Sequence, residues 1–365
     1  MSLPKKLSLI YKSILIFFFN VYYRKVKTEN KNSVKIPSKQ IKIDNFNFKI
    51  FRIKDCRLFT NTNDIAVIKE NFVLEGPSLQ IRNDINSKVD KNVVFKTGTP
   101  KIYKKINKRV FSLLTGVDSN HNYYHWFLDC LPKIFFYEKF YKYTKEDYFL
   151  VPNYFYNYQK ESLQLLGIKN IINAYDLKHF KIKELITTSF TSFGENPPLS
   201  VLQLLRRKFL QKKFISSKKK KLKIFLNRSG KSSLHRDLIN KKEIIEIFLS
   251  KGFKIIDPSK ISLANQIKIF NSAKFIAGVH GASFTNTIFC RKNTKVLELI
   301  GYGAKNDTIL NIAKKLNLNF YTLKSDKKVK KNNYFWKKIK YHNKRTWDGQ
   351  ISIIKKDLVK VLPRY

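Results

Sequence analysis

The run Asn120-His121-Asn122-Tyr123-Tyr124-His125-Trp126-Phe127-Leu128-Asp129 is a dense group of polar and aromatic side chains. On a helix, His121, His125 and Asp129 fall at i, i+4 and i+8, roughly on one face. A carboxylate one turn from an imidazole fixes the ring's tautomer and raises its basicity, as a general base requires. The same residues also read as a cap and ion pair at a helix end, and both readings stand at this point. A zinc site is the weaker alternative, because Tyr123-Tyr124 occupy positions where the protease pattern has a Glu.

A second set of reactive side chains lies downstream. Asn227, Arg228, Ser229, Lys231, His235 and Arg236 follow one apolar run, and His280, Gly281, Ala282 and Ser283 follow another. Glu298 sits inside a third run, Val296-Leu297-Glu298-Leu299. Gly281 and Ala282 at a helix start let an anion approach backbone N–H groups at the positive end of the helix dipole, which suits a diphosphate. Arg228, Lys231 and Arg236 would neutralise the same group. A carboxylate in a buried strand is costly unless hydrogen-bonded, so Glu298 needs a partner. A ribose diol is one and a neighbouring lysine is another. The plainer alternatives are a surface arginine at 228 and a simple turn at His280-Gly281.

These positions matter because of the elements that carry them. Lys223–Leu226 reads as a strand; Asn240 caps a helix whose apolar face is Ile244, Ile245, Phe248 and Leu249 and which ends at Gly252. Phe253–Ile256 is a second strand, Ser262 caps a helix with Leu263, Ile267 and Phe270, and Phe275–Val279 is a third strand. A helix opens after His280-Gly281, and Lys295–Ile300 is a fourth strand. Apolar strands alternating with helices predict a parallel sheet covered on both faces, with ligands beyond the carboxyl ends of the strands. The C-terminal half is thus expected to be a Rossmann-like α/β domain.

The N-terminal half is less regular. Ile41–Ile53, Ile65–Ile68 and Asn92–Phe95 read as strands, and Tyr123–Leu131, Asn157–Leu166 and Leu199–Phe214 as helices. Ser192–Ser200, with Gly194, Pro197 and Pro198, reads as a loop, the run SSKKKK at 216–221 as a linker, and Ile351–Leu362 as a terminal helix.

Of 365 residues, 43% are hydrophobic and 14% aromatic, enough for one large or two medium domains and incompatible with disorder or a coiled coil. Lys and Arg number 73 against 26 Asp and Glu, a formal charge of +47. Such an excess fits nucleic acid or an anionic membrane as partner. Only 12 of the 73 are Arg, however, whereas phosphate-gripping and base-reading surfaces favour the arginine fork. Much of the lysine therefore reads as a solvated surface, and no nucleic-acid partner is expected. The odd, scattered Cys56, Cys130 and Cys290 predict reduced thiols without a disulfide framework or structural zinc. Residues 7–23 follow Lys5 and Lys6 but are interrupted by Lys12 and Asn20, so they fall short of a bilayer span. Two readings remain, an interfacial helix on anionic lipid or an ordinary helix packed on its domain.

Taken in order, NYYHWFLDCLPKI (122–134), IFLNRSGKSSLHRDLIN (224–240), KIIDPSKISLANQIKIFNSAKFIAGVHGASFTN (254–286) and TKVLELI (294–300) resemble glycosyltransferase family 61, over roughly residues 110–305. The resemblance implies a GT-B-type enzyme of two Rossmann-like domains that transfers a sugar from a nucleotide-sugar donor to a glycan or lipid-linked glycan acceptor. It further implies inversion, no metal or other cofactor, and a role in capsular or other surface polysaccharide synthesis. Such an enzyme would be cytoplasmic and peripheral, at the inner face of the bacterial plasma membrane.

Carried over residue by residue, Arg228, Arg236, His280, Gly281, Ala282, Asn286 and Glu298 match the donor side, while His125, Trp126 and Asp129 match the N-terminal motif. With the residue-level reading, Lys231 and Ser283 join the donor set, His121 and Tyr124 join Trp126 on the acceptor side, and Asp129 or His125 is the base. Ser283 and Phe284 stand where Gly and Leu are usual, and Lys241 where an acidic residue commonly follows Asn240. The implied organisation is an N-terminal segment 1–40, an acceptor-side domain 41–215, a linker 216–221, a nucleotide-sugar domain 222–325 and a basic tail 326–365. A nucleotide-binding partner without activity and a nucleic-acid-binding protein are the alternatives.

Overall fold

The computed structural model describes residues 3–28, 36–61, 64–80, 89–115, 122–215, 222–228, 237–304, 307–327 and 351–362. The chain divides into two compact units, Met1–Phe193 and Gly194–Tyr365. The division falls ahead of the expected linker at 216–221, which lies outside the described residues.

The first unit opens with helix α1 (Leu3–Tyr23) and is built on one ten-stranded sheet. Its strands are β1 (Lys27–Thr28), β2 (Ser38–Ile43), β3 (Phe46–Thr60), β4 (Asp64–Lys69), β5 (Phe72–Val73), β6 (Leu79–Gln80), β7 (Lys104–Ser112), β8 (Tyr148–Val151), β9 (Ile171–Asn173) and β10 (His179–Thr188). The order is β1-β5-β4-β3-β10-β7-β8-β9, with β2 also on β3 and β6 on β4. β10, β7, β8 and β9 run parallel, whereas β2, β3, β4 and β10 pair antiparallel.

The expectation of a wholly parallel sheet in each half is corrected for the first unit, whose sheet is mixed. The physical reason is local: Asp44 takes a left-handed conformation (φ 49°) in the short turn between β2 and β3, which folds the expected Ile41–Ile53 strand region into a hairpin. Ile53, Cys56, Leu58, Val67, Val110 and Phe180 meet in the core beneath it, and burial pushes the Cys56 thiol up to about 12. Asn92–Phe95, expected as a strand, instead runs into a short helix α2 (Val94–Thr97), because the buried Asp64 carboxylate accepts from the Val93 N–H and the Asn92 side chain from the Val94 N–H.

Among the described residues this unit also has the helices α3 (Tyr123–His125), α4 (Leu131–Glu138), α5 (Asn157–Leu165) and α6 (Ala174–Leu177). Between α3 and α4 the chain widens into a π-helical turn, Trp126–Cys130, closed by the Leu131 N–H on the Trp126 carbonyl. Pro132 explains it. A proline inside a helix cannot donate to the carbonyl four residues back and its ring crowds that carbonyl, so the preceding turn opens. The expected single helix Tyr123–Leu131 is thus three segments in series.

The second unit carries a five-stranded sheet of order β12-β11-β13-β14-β15, parallel throughout. The strands are β11 (Leu222–Leu226), β12 (Lys254–Ile256), β13 (Ala273–Val279), β14 (Lys295–Ile300) and β15 (Asn319–Lys324), joined with helices α7 (Leu199–Phe209), α8 (Lys241–Ser250), α9 (Leu263–Ser272), α10 (Thr308–Lys315) and α11 (Lys355–Val361). Four strands and one of the two expected caps follow the sequence reading closely. Ser262 Oγ accepts from the Asn265 N–H as expected, but Asn240, though at the N-cap position of α8, donates instead to the Ile353 carbonyl at 2.8 Å. That bond ties the C-terminal segment to the unit, and Ile351, Ile353, Leu358 and Leu362 complete its core. α7 belongs to this unit: Arg206 donates to the Ile288 and Cys290 carbonyls and Phe209 packs on Phe289. Cys56, Cys130 and Cys290 are buried thiols outside any disulfide.

Candidate functional site

Two imidazole–carboxylate pairs mark the chemistry, one in each unit. In the first unit, Asn122 caps α3 by accepting from the Tyr124 N–H, and the π turn sets Asp129 one turn beyond His125. His125 Nδ1 lies 2.6 Å from Asp129 Oδ2. Asp129 is 1% exposed and accepts two further bonds, from Ser192 Oγ (2.9 Å) and the Phe193 N–H (3.0 Å). A buried carboxylate with this many donors is held in place, and it accepts the Nδ1 proton. The lone pair of His125 then sits on Nε2, and the ring retains 27% side-chain exposure. The sequence left the base open between Asp129 and His125; Asp129 is buried among its donors, whereas the His125 ring keeps an exposed edge.

The other residues of this motif are placed differently from expectation. Trp126, expected on the acceptor side, is wholly buried and donates to Ser162 Oγ at 2.9 Å, because the widened turn rotates it into the core. Tyr124 is buried with its ring edge-on to His125. His121 lies outside the described residues. Among the described residues, no three His, Cys, Asp or Glu side chains gather in a metal-ligating group.

Lys133, one turn past Asp129, was quoted in the motif but not singled out. It is fully buried and donates to the Leu114 carbonyl, and desolvation brings its ammonium down to about 7. Ser192 and Phe193 were also missed, since a hydroxyl and a backbone N–H from a distant loop leave no signature beside the motif.

In the second unit the candidate residues gather at the carboxyl edge of the parallel sheet, as expected for an open α/β fold. Arg228, two residues past β11, donates through Nη1 to the His280 carbonyl at 2.7 Å, one residue past β13. His280 Nδ1 lies 2.5 Å from Glu298 Oε1 on β14, and the Glu298 carboxylate is 1% exposed. Glu298, for which a ribose diol or a lysine was considered, therefore finds its partner in the His280 ring.

Two glycines permit the arrangement. A Cβ on Gly278 would meet Leu226 Cβ at 2.8 Å and the Leu226 carbonyl at 3.0 Å, so β11 and β13 close up only with glycine there. A Cβ on Gly281 would lie 2.0 Å from Arg228 Nη1, so the guanidinium occupies the space a side chain would take.

Beyond Gly281 the expected helix forms as a 3₁₀ helix, Ala282–Phe289. Its opening residues Ala282 and Ser283 are half-buried at the sheet edge, and the first N–H groups of any such helix have no carbonyl within it. Asn286 is fully buried, with its amide donating to Gln266 Oε1 at 2.8 Å, so it locks this helix to α9 from inside. Asn227 Oδ1 is buried at the end of β11 without a hydrogen-bond partner among the described residues. Lys241 donates to the Arg228 carbonyl (3.0 Å) and Asp237 (2.9 Å), which gives this departure from the family pattern a structural role. Lys231 and Arg236 lie outside the described residues.

Chemically, the edge offers a guanidinium, an imidazole and helix-start N–H groups to an anion, and the first unit offers an imidazole with an oriented lone pair. Residues 123–297 match the family model described as Glycosyltransferase 61, a span that begins in the His125 motif and ends one residue before Glu298. No curated protein matches the chain.

Proposed function

We propose that this chain, which belongs through residues 123–297 to glycosyltransferase family 61, moves a hexosyl or pentosyl group from a nucleotide-sugar to a hydroxyl of a glycan or lipid-linked glycan, with inversion and without a metal ion. The observation that carries this reading is the Arg228–His280–Glu298 cluster fastened at the carboxyl edge of the parallel sheet. In the proposal, Arg228, Lys231, Arg236, His280 and the helix start at Gly281, Ala282 and Ser283 neutralise the donor diphosphate. Asn227 supplies an acceptor for a nucleoside N–H or hydroxyl. These groups take the role that a divalent ion fills elsewhere.

The reaction is a single displacement. His125 Nε2 takes the proton of the acceptor hydroxyl as its oxygen bonds to the anomeric carbon, and the bond from that carbon to the diphosphate oxygen breaks with its electron pair on the diphosphate. Asp129 stabilises the imidazolium that forms. The GT-B class, a capsular or other surface polysaccharide as product, and action at the inner face of the bacterial plasma membrane belong to the same proposal.

The test is transfer over a panel of nucleotide-sugars with glycan acceptors, comparing the wild type with His125→Ala and Asp129→Asn. In Asp129→Asn the amide places an N–H against Nδ1, or leaves Nδ1–H on a weaker acceptor, so the lone pair on Nε2 is lost or no longer supported. Both variants should lose about 10²–10⁴-fold in kcat with KM for the donor nearly unchanged. Wild-type rates in both would overturn the assignment.

A further inference from the structure

Helix α1 carries two different faces. Toward the first unit it presents Ile16, Phe19, Asn20 and Tyr23, at i, i+3, i+4 and i+7. Phe19 stacks on Tyr23, Tyr23 is buried against Tyr103 and His179, and its hydroxyl accepts from the Tyr103 N–H at 3.1 Å. A Cβ on Gly98 would fall 2.2 Å from Asn20 Oδ1, so the Asn20 side chain is seated against backbone. The other face is Leu7, Ile10, Ile14, Phe17, Phe18 and Val21, which the helical repeat brings into one stripe. Every one of these is exposed, from 49% at Ile14 to 66% at Phe17 and Val21, with Tyr11 and Tyr22 at its margin. Apolar surface this continuous marks an interaction site.

We infer that this stripe docks on an anionic lipid bilayer, with α1 lying in the headgroup layer. Charge selects the occupant. Residues 3–28 contain six Lys or Arg and no Asp or Glu, and Lys12, Arg24, Lys25 and Lys27 are exposed. At the base of the helix, next to Tyr103, the chain adds Lys101, the exposed Ile102 and, at the start of β7, Lys104 and Lys105, against which Glu70 beside Asn71 is one exposed acid. A second copy of a chain with net charge +47 would bring like charges together, whereas anionic headgroups pair with them. The helix does not span: among the described residues none is long and apolar enough to cross a membrane, and Asn20 and Tyr23 hold its end to the unit. This inference is independent of the catalytic reading, because α1 lies outside the family match.

The experiment is co-sedimentation of the full chain with vesicles of phosphatidylcholine alone and of phosphatidylcholine with phosphatidylglycerol. Binding should favour the anionic vesicles and weaken as salt rises. Phe17→Ser with Phe18→Ser should lower partitioning about tenfold or more, as expected for two half-exposed aromatics. Lys12→Glu with Lys25→Glu should also lower it about tenfold or more, from about fivefold for each lysine lost near the surface. The mutated side chains are exposed, so circular dichroism and thermal midpoints should match the wild type. Equal binding to neutral and anionic vesicles would overturn the inference. So would unchanged partitioning of the Phe variant, or a dimer in solution that the Phe variant abolishes while vesicles remain unbound.

Discussion

Gly281→Ala places the sharpest load on the proposed diphosphate site. Its φ of 172° is extended backbone that alanine accepts, so the effect is steric rather than conformational. The new Cβ would sit 2.0 Å from Arg228 Nη1 and 3.2 Å from Cζ, inside any van der Waals limit, and the guanidinium must leave. It then loses the 2.7 Å charge-assisted bond to the His280 carbonyl, worth about 1.5–3 kcal/mol. Because Arg228 is half-buried and its end can swing to water, the folded state should lose only about 1 kcal/mol. The binding consequence is larger. An arginine no longer aimed at the diphosphate should cost about 10- to 100-fold in nucleoside diphosphate affinity, or about 1.4–2.7 kcal/mol. Calorimetric titration of the wild type, Gly281→Ala, Arg228→Ala and the double variant closes a cycle. If glycine serves only to admit the guanidinium, the double variant binds no more weakly than Arg228→Ala. Wild-type affinity in Gly281→Ala alongside a loss in Arg228→Ala would refute the reasoning.

Two further expectations concern buried titratable groups in the first unit. His179 is fully buried, its Nδ1 donates to the Lys101 carbonyl at 2.6 Å, Nε2 has no partner among the described residues, and desolvation brings the ring down to about 4. The unfolded state binds the proton more readily, so stability rises with pH from about 4 to about 6.5 by up to about 3 kcal/mol. Urea unfolding across that range should show the rise, and His179→Gln should flatten it. Lys133, brought down to about 7 by burial, likewise binds its proton more weakly in the folded state. Its contribution to stability rises from about pH 7 to about pH 10.5, and Lys133→Met should remove that rise relative to the wild type.

The second unit was legible where burial is two-sided. β11, β13 and β14 are nearly continuous apolar runs because helices cover both faces, and Ser262 and Gly252 punctuate them with their own backbone chemistry. Helix α10 and β15 went unread because Asn311, Asn317 and Asn319 dilute the apolar pattern there, although Ile309, Ile312 and Ala313 are buried. In the first unit the hairpin turn at Asp44 and the π turn before Pro132 depend on backbone conformations that periodicity does not report.

The pairing of His125 with Asp129 was legible because four-residue spacing survives the widened turn. How the Asp129 carboxylate is held was not, since that rests on Ser192 and Phe193, more than 60 residues away. The His280–Glu298 pair was equally hidden, because neighbouring parallel strands bring together residues 18 apart. Trp126 and Asn286 came from the family resemblance and lie inside the fold, with both side chains fully buried.

The most direct measurement of the central claim is the thermal midpoint of the full chain with nucleoside diphosphates, their sugars, nucleosides and inorganic phosphate, in the wild type and Arg228→Ala. A ligand bound only by the folded state stabilises it by about 2.7 kcal/mol at a hundredfold excess over Kd. The midpoint should rise with at least one nucleoside diphosphate and its sugar, change little with nucleoside or phosphate alone, and shift far less in Arg228→Ala. No shift with any nucleoside diphosphate at millimolar concentration, or an equal shift in Arg228→Ala, would contradict that claim.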